Sequence, residues 1–121
     1  MDRMERLNQL LSTFHTSTPD IEGSAVITND GLIITSHLAV SMEEDRVAAM
    51  AAAMLSLGDR TAGELQRGEL EQVYVQGGEG YVLLRRATSE VLVLVLTTKK
   101  AKLGLVFLDV GRLVNGIGEV L

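Results

Sequence analysis

The stretch Val91-Leu92-Val93-Leu94-Val95-Leu96 is apolar at every position, and no strand of that kind can turn a face to water. A strand buried on one side alternates apolar with polar residues; a continuous run needs cover above and below, which places this one in the middle of a sheet with helices on both faces. A bilayer span needs ~20 residues, and this run has six. A sandwich of helix, sheet and helix is the expected architecture.

The other elements follow from periodicity. Met4, Leu7, Leu10, Leu11 and Phe14 recur at helical spacing, and Thr16-Ser17-Thr18 with Pro19 ends that first helix, because proline fixes its own φ and disfavours helical geometry at the residue before it. Ala25-Val26-Ile27-Thr28 and Leu32-Ile33-Ile34-Thr35 flank Asn29-Asp30-Gly31, whose Asp-Gly pair suits the left-handed conformations of a tight hairpin. Ser41 and Glu44 have the spacing of a capping box, and Glu43, Glu44 and Asp45 suit the positive end of a helix dipole. A long helix is therefore expected from Ser41, ending before Gly68. Glu69 to Gln76 reads as an edge strand, since its charges and glutamines suit an exposed rim. Gly77-Gly78-Glu79-Gly80 makes a loose turn, Tyr81 to Ala87 a further strand, and Thr88-Ser89-Glu90 the turn into Val91. Leu103, Val106, Phe107, Val110, Leu113, Val114 and Ile117 give a last helix, with fraying expected towards Leu121 because Gly111, Gly116 and Gly118 weaken it. The order is helix, two strands, helix, three strands, helix, read as one domain over residues 1–121.

The long helix has an unusual composition. Val47, Met50, Ala51, Met54, Leu57 and Leu65 form the stripe expected to be buried. Around the other side, Ala48, Ala49, Ala52, Ala53, Leu55 and Ser56 carry no charge. A helix apolar all round is covered on more than one side: one cover is its own sheet, and the other is a partner.

Composition narrows the function. The chain has no cysteine, which excludes disulfides and thiolate metal sites. It has two Phe, two Tyr, no Trp and a net charge of -5, a poor set for stacking on bases or holding phosphate backbones. The first residues hold no apolar run long enough for a signal peptide, so a cytoplasmic setting is expected.

The stretch Ile21-Glu22-Gly23-Ser24-Ala25-Val26-Ile27, then Asp30-Gly31-Leu32-Ile33-Ile34-Thr35-Ser36, the long small-residue helix, and Lys102-Leu103-Gly104-Leu105-Val106 opening the last helix together resemble the Roadblock/dynein light-chain family. The resemblance covers essentially the whole chain. It implies an α+β, three-layer fold: a five-stranded antiparallel sheet, the long helix on one face and the terminal helices on the other. It also implies a homodimer in which third strands pair edge to edge and long helices lie side by side. On this sequence that interface would use Val47, Ala48, Ala52, Leu55 and Ser56 of the helix, and Leu70, Gln72, Val73, Tyr74 and Val75 of the strand. The implied role is a regulator or scaffold of a small Ras-like GTPase bound across the paired helices, with Glu43, Arg46, Ala49, Ala53, Asp59 and Arg60 facing it. The lysines Lys99, Lys100 and Lys102 match no family motif; an acidic surface or a small anion is the chemistry they suit.

No catalytic constellation, metal site or cofactor site is read from the residues. His15 and His37 lie in different elements with no cysteine between them, and Gly77 to Gly80 lacks the lysine and helix start of a phosphate loop. Arg85-Arg86 invites comparison with an arginine that neutralises transition-state charge in a GTPase, but strands hold side chains too rigidly for an inserted finger. Two other readings stand beside the scaffold: a ligand-sensing domain with a pocket between sheet and terminal helices, and a purely structural dimer.

Overall fold

The computed structural model describes all of residues 1–121. Its elements are α1 (Arg3–Ser17), β1 (Ile21–Thr28), β2 (Ile33–His37), α2 (Glu44–Glu64), β3 (Gln72–Gly77), β4 (Gly80–Arg86), β5 (Val91–Thr97) and α3 (Leu103–Val120). The strands form one antiparallel sheet in the order β2-β1-β5-β4-β3. β5 is its central strand, as its unbroken apolar run requires.

The side chains of β5 divide between two cores. Val91, Val93 and Val95 join Leu7, Leu11 and Phe14 of α1 and the inner face of α3. Leu92 and Leu94 point the other way, to Ala51 and Leu55 of α2. Long side chains thus meet the alanine-rich helix and shorter ones meet the two-helix layer, which keeps both interfaces filled.

Local chemistry sets the boundaries. Asp2 caps α1 by accepting from the Glu5 amide at 2.8 Å, and the helix closes at Thr18, just before Pro19. Gly31 sits at φ +83° in the first hairpin, its amide donating to the Thr28 carbonyl. The capping box at Ser41 is not formed. α2 begins at Glu44 without a side-chain cap, because the Glu44 carboxylate accepts instead from Ser36 Oγ at 2.6 Å and ties the helix start to the end of β2. At the other end Gln66, not Gly68, takes the first left-handed position, at φ +58°. The Arg67 amide donates to Ala62 O and the Gln66 amide to Gly63 O, the paired bonds of a Schellman ending.

The edge strand also starts later than its sequence suggests, at Gln72 rather than Glu69. Leu70 is held out of the strand by packing on Gly58 of α2, where an added Cβ would lie 2.7 Å from Leu70 Cδ2. α3 continues to Val120 in spite of its glycines; Gly116 faces Leu10, so the missing side chain lets α1 and α3 approach.

Gly80 starts β4 at φ +150°, and a Cβ there would meet the Thr97 carbonyl oxygen at 2.0 Å. Gly78, two residues earlier, has nothing within 4 Å. Gly80→Ala is expected to cost about 2 kcal/mol or more, and Gly78→Ala less than about 0.5 kcal/mol. Urea denaturation of the two variants checks this; equal midpoints would contradict the packing of the β3–β4 turn on β5.

Candidate partner-binding surface

α2 meets the sheet through its smallest side chains. Ala48, Ala51, Leu55 and Gly58 are buried, with Val47 and Met54 partly so. Met50, Leu57 and Leu65, expected in the buried stripe, are 58%, 69% and 64% exposed. The helix is therefore turned about its axis from the setting that hydrophobicity alone suggests. Ala and Gly let it come close, and Leu70, Leu84, Leu92 and Leu94 from the sheet side fill the space.

That rotation corrects the expected interface. Ala48 and Leu55 are 6% and 7% exposed in the chain's own core, and Val47 packs beside them. Ala52 lies under the β1–β2 turn, its Cβ 3.2 Å from where a Gly31 Cβ would be. Ser56 alone of the five helix residues is exposed. Met50 and Leu57, about 150° round the helix from Ala52, lie on the side of α2 turned away from that hairpin, where both are exposed. Arg46, Met50, Ala53, Leu57, Arg60 and Glu64 recur at steps of four and three, the spacing of a helix-pairing seam. Arg60 and Glu64 pair across its end at 3.7 Å. Sequence periodicity missed Met50 and Leu57 as surface residues, since only the sheet decides which apolar stripe it receives.

β3 is bonded to β4 alone, so its outer edge presents unpaired amides and carbonyls. Nothing blunts it: the strand carries no proline, lysine or bulge. Tyr74 and Val75 are 45% and 51% exposed. Of the other strand residues expected at an interface, Leu70 and Val73 pack into the core on the α2 side, and Gln72 is half-buried with its Oε1 unpaired. The opposite edge, β2, is shorter, and its pairing with β1 shifts register between Val26 and Ile27. Thr35 Oγ1 bonds Asn8 of α1, and Ser36 bonds Glu44 of α2.

The charged residues separate by role. Glu43, Arg46, Ala49, Ala53 and Arg60 are exposed along the outer face of α2. Asp59 is engaged inside the chain, 3.6 Å from the Arg86 guanidinium. Arg86 also donates to Leu70 O, Asn29 Oδ1 and Ser89 O, so it is held as a structural clamp. Arg85 points to the other face of the sheet, beneath Gly111 of α3.

This chain matches the Roadblock/LC7 domain over residues 7–97. It belongs to that family. Three uncharacterised proteins of Methanocaldococcus jannaschii resemble it: one is 40% identical over 83% of this chain and 87% of its own length, another 41% over 78% and 82%, and the third 36% over 83% and 84%. The fold is that of the gliding protein MglB from Thermus thermophilus, with a TM-score of 0.87 over 99% of this chain and 91% of that one at 18% identity. A Roadblock/LC7 domain from Streptomyces avermitilis superposes at 0.81 over 90% and 92%, with 25% identity.

In this Roadblock/LC7 chain the two histidines, far apart in sequence, come together. Their rings stack at 3.9 Å between centroids and 10° between planes, because the β1–β2 register sets His37 opposite Ser24. Ser24 Oγ in turn lies 2.8 Å from His15 Nε2. Burial, and then the charge His37 would carry, lower His15 to about 4 from its ordinary 6.5. No third histidine or carboxylate completes a metal-binding group.

The unfolded chain takes up a proton on His15 below about pH 6.5 that the folded chain refuses until about pH 4. Stability from this residue is therefore complete above pH 6.5 and is lost as the pH falls from 6.5 to 4. Denaturation midpoints should drop over that window, and less steeply in His37→Ala. Proton NMR of the His15 ring should show titration near 4, moving upward in the variant; titration near 6.5 in the unaltered protein would contradict the stacked arrangement.

Proposed function

We propose that this chain is a non-enzymatic scaffold that pairs with a second copy of itself and binds a small Ras-like GTPase, modulating its nucleotide cycle. The observation that carries the pairing is that two features of one copy are left uncovered. The β3 edge carries no proline, lysine or bulge, and Met50, Ala53 and Leu57 are exposed on α2, the helix packed over that strand. A two-fold contact at β3 joins the two sheets and sets the seams of both helices together, burying groups that one copy leaves wet. Such a contact is isologous and closes on itself. Burial of an exposed leucine or methionine contributes about 1.5–3 kcal/mol, so Met50 and Leu57 from both copies give the pairing substantial driving force. One related structure, of MglB, has a tetrameric arrangement.

With the seam so used, Glu43, Ala49 and Ser56 remain exposed outside it, a small polar surface repeated on both copies. The regulator role is the one that the Roadblock resemblance implies, and the whole chain, residues 1–121, would act as one unit in it.

Leu57→Glu alters an exposed residue, so the fold is retained while the seam is broken. In sedimentation equilibrium the unaltered protein is expected at twice 13.1 kDa and the variant at the single-chain mass. Capture of Ras-like GTPases loaded with GTP or GDP tests the second half: enrichment should depend on the nucleotide and be lost in a Glu43→Arg, Ala49→Glu variant that still pairs. A dimer that captures none of them is a structural module only.

A ligand-sensing reading is favoured by one observation. The space between sheet and helices is filled, but a groove of about 700 Å³ runs outside it between α1 and α3, floored by Leu10, Phe14, Leu113 and Val120. A metabolite that raises the melting temperature by mass action, without GTPase capture, would assign the function to that groove.

A further inference from the structure

The three lysines of the chain, Lys99, Lys100 and Lys102, all fall within four residues. They sit on the connection from β5 into α3, and none has a carboxylate within 4.0 Å; the ion pairs of the molecule all use arginine. The carboxylates borne by neighbouring elements, Asp20 beside Thr98 and Glu79 in the turn next to Thr97, leave them unpaired. In a chain of net charge -5, this is a local concentration of free positive charge.

Two further features share the place. Lys102 is the N-cap of α3 and offers the first-turn amides no side-chain acceptor, and no acidic residue stands in that turn. Leu105 and Leu108, on the outer face of the same helix, are each 54% exposed. Those leucines contribute nothing to the core, whose α3 members begin at Val106 and Val110. Lysines around exposed leucines at the start of a helix are arranged as in a surface-lying amphipathic segment: charge attracts anionic headgroups, and the apolar side chains enter the boundary below them. An acidic protein would be met by the lysines but gives the paired leucines no apolar layer to enter.

We propose that the start of α3 is a docking surface for an anionic membrane, with the phosphate headgroups held by Lys99, Lys100 and Lys102 and the bilayer boundary entered by Leu105 and Leu108. The contact is peripheral, since no helix is long and apolar enough to cross a membrane. The surface belongs to one chain and so stands apart from the pairing proposed above. If the copies do pair through β3, both surfaces lie on the sheet face opposite α2, and one side of the scaffold is left for its protein partner.

Flotation with vesicles of phosphatidylcholine containing one-third phosphatidylglycerol tests this. The full chain is expected to float with these vesicles at low salt, to be released as salt screens the charges, and to ignore pure phosphatidylcholine. Lys99→Gln, Lys100→Gln, Lys102→Gln should weaken binding roughly 100-fold, at about tenfold or less per lysine. Leu105→Ser, Leu108→Ser should weaken it while leaving the salt dependence. Arg67→Gln, which borders the far half of α3 at Val114 and Asn115 and not its start, should bind as the unaltered protein does. Circular dichroism confirms that each variant is folded. Absence of binding to the anionic vesicles, equal binding by the lysine variant, or retention on soluble polyglutamate without flotation would each overturn the proposal.

Discussion

Close contact between the small residues of α2 and the sheet governs what this molecule can present to others. Ala48, Ala51 and Gly58 bring the helix down until Leu70 reaches the space that a side chain at position 58 would take. A helix docked in that way cannot also bury its longest apolar side chains. Met50 and Leu57 are left outside on one flank while the Gly31 turn covers Ala52 on the other. The exposed seam is thus a geometric by-product of tight packing, set on the part of α2 turned away from the first hairpin.

The two edges of the sheet differ for related reasons. β2 is short, its pairing with β1 shifts register between Val26 and Ile27, and its Thr35 and Ser36 side chains are tied to both helical layers, so its rim is the poorer template for extension. β3 has a helix over one face and the aromatic contact of Tyr74 with Phe107 on the other, 5.6 Å between ring centroids, but its rim is uncovered. Sheet extension is therefore less hindered at β3 than at β2, and α2 packs over the strand to which a further strand would add.

Much of the fold was legible in the residues because it depends on local chemistry. Val91 to Leu96 placed β5, Asp30-Gly31 placed the first hairpin, and Pro19 ended α1. What could not be read depends on pairs distant in sequence. The capping box at Ser41 lost Glu44 to Ser36, and left-handed geometry at Gln66 ended α2 before the glycine that seemed suited to it. The rotation of α2 was invisible because two apolar stripes compete on that helix and only the leucines of the opposing strands choose between them. His15 and His37 gave no sign of stacking, since their meeting needs the β1–β2 register and the packing of α1 together. The candidate surface was legible as a region, a long helix and an edge strand, but its members changed once the helix was set.

Arg86 gathers four separate parts of the chain onto one guanidinium: the segment after α2 through Leu70, the first hairpin turn through Asn29, the β4–β5 turn through Ser89, and α2 itself through Asp59. Turns at a sheet's end ordinarily vary in length among relatives without penalty. Here an insertion near Asn29 or Ser89 would draw its acceptor off the clamp and leave a half-buried cation short of partners. Freedom to lengthen is left to the Gly77-Gly78 turn at the far end of the sheet, where a Cβ added at Gly78 would meet nothing within 4 Å, and it is there that descendants of this sequence could graft new peptide without disturbing the rest.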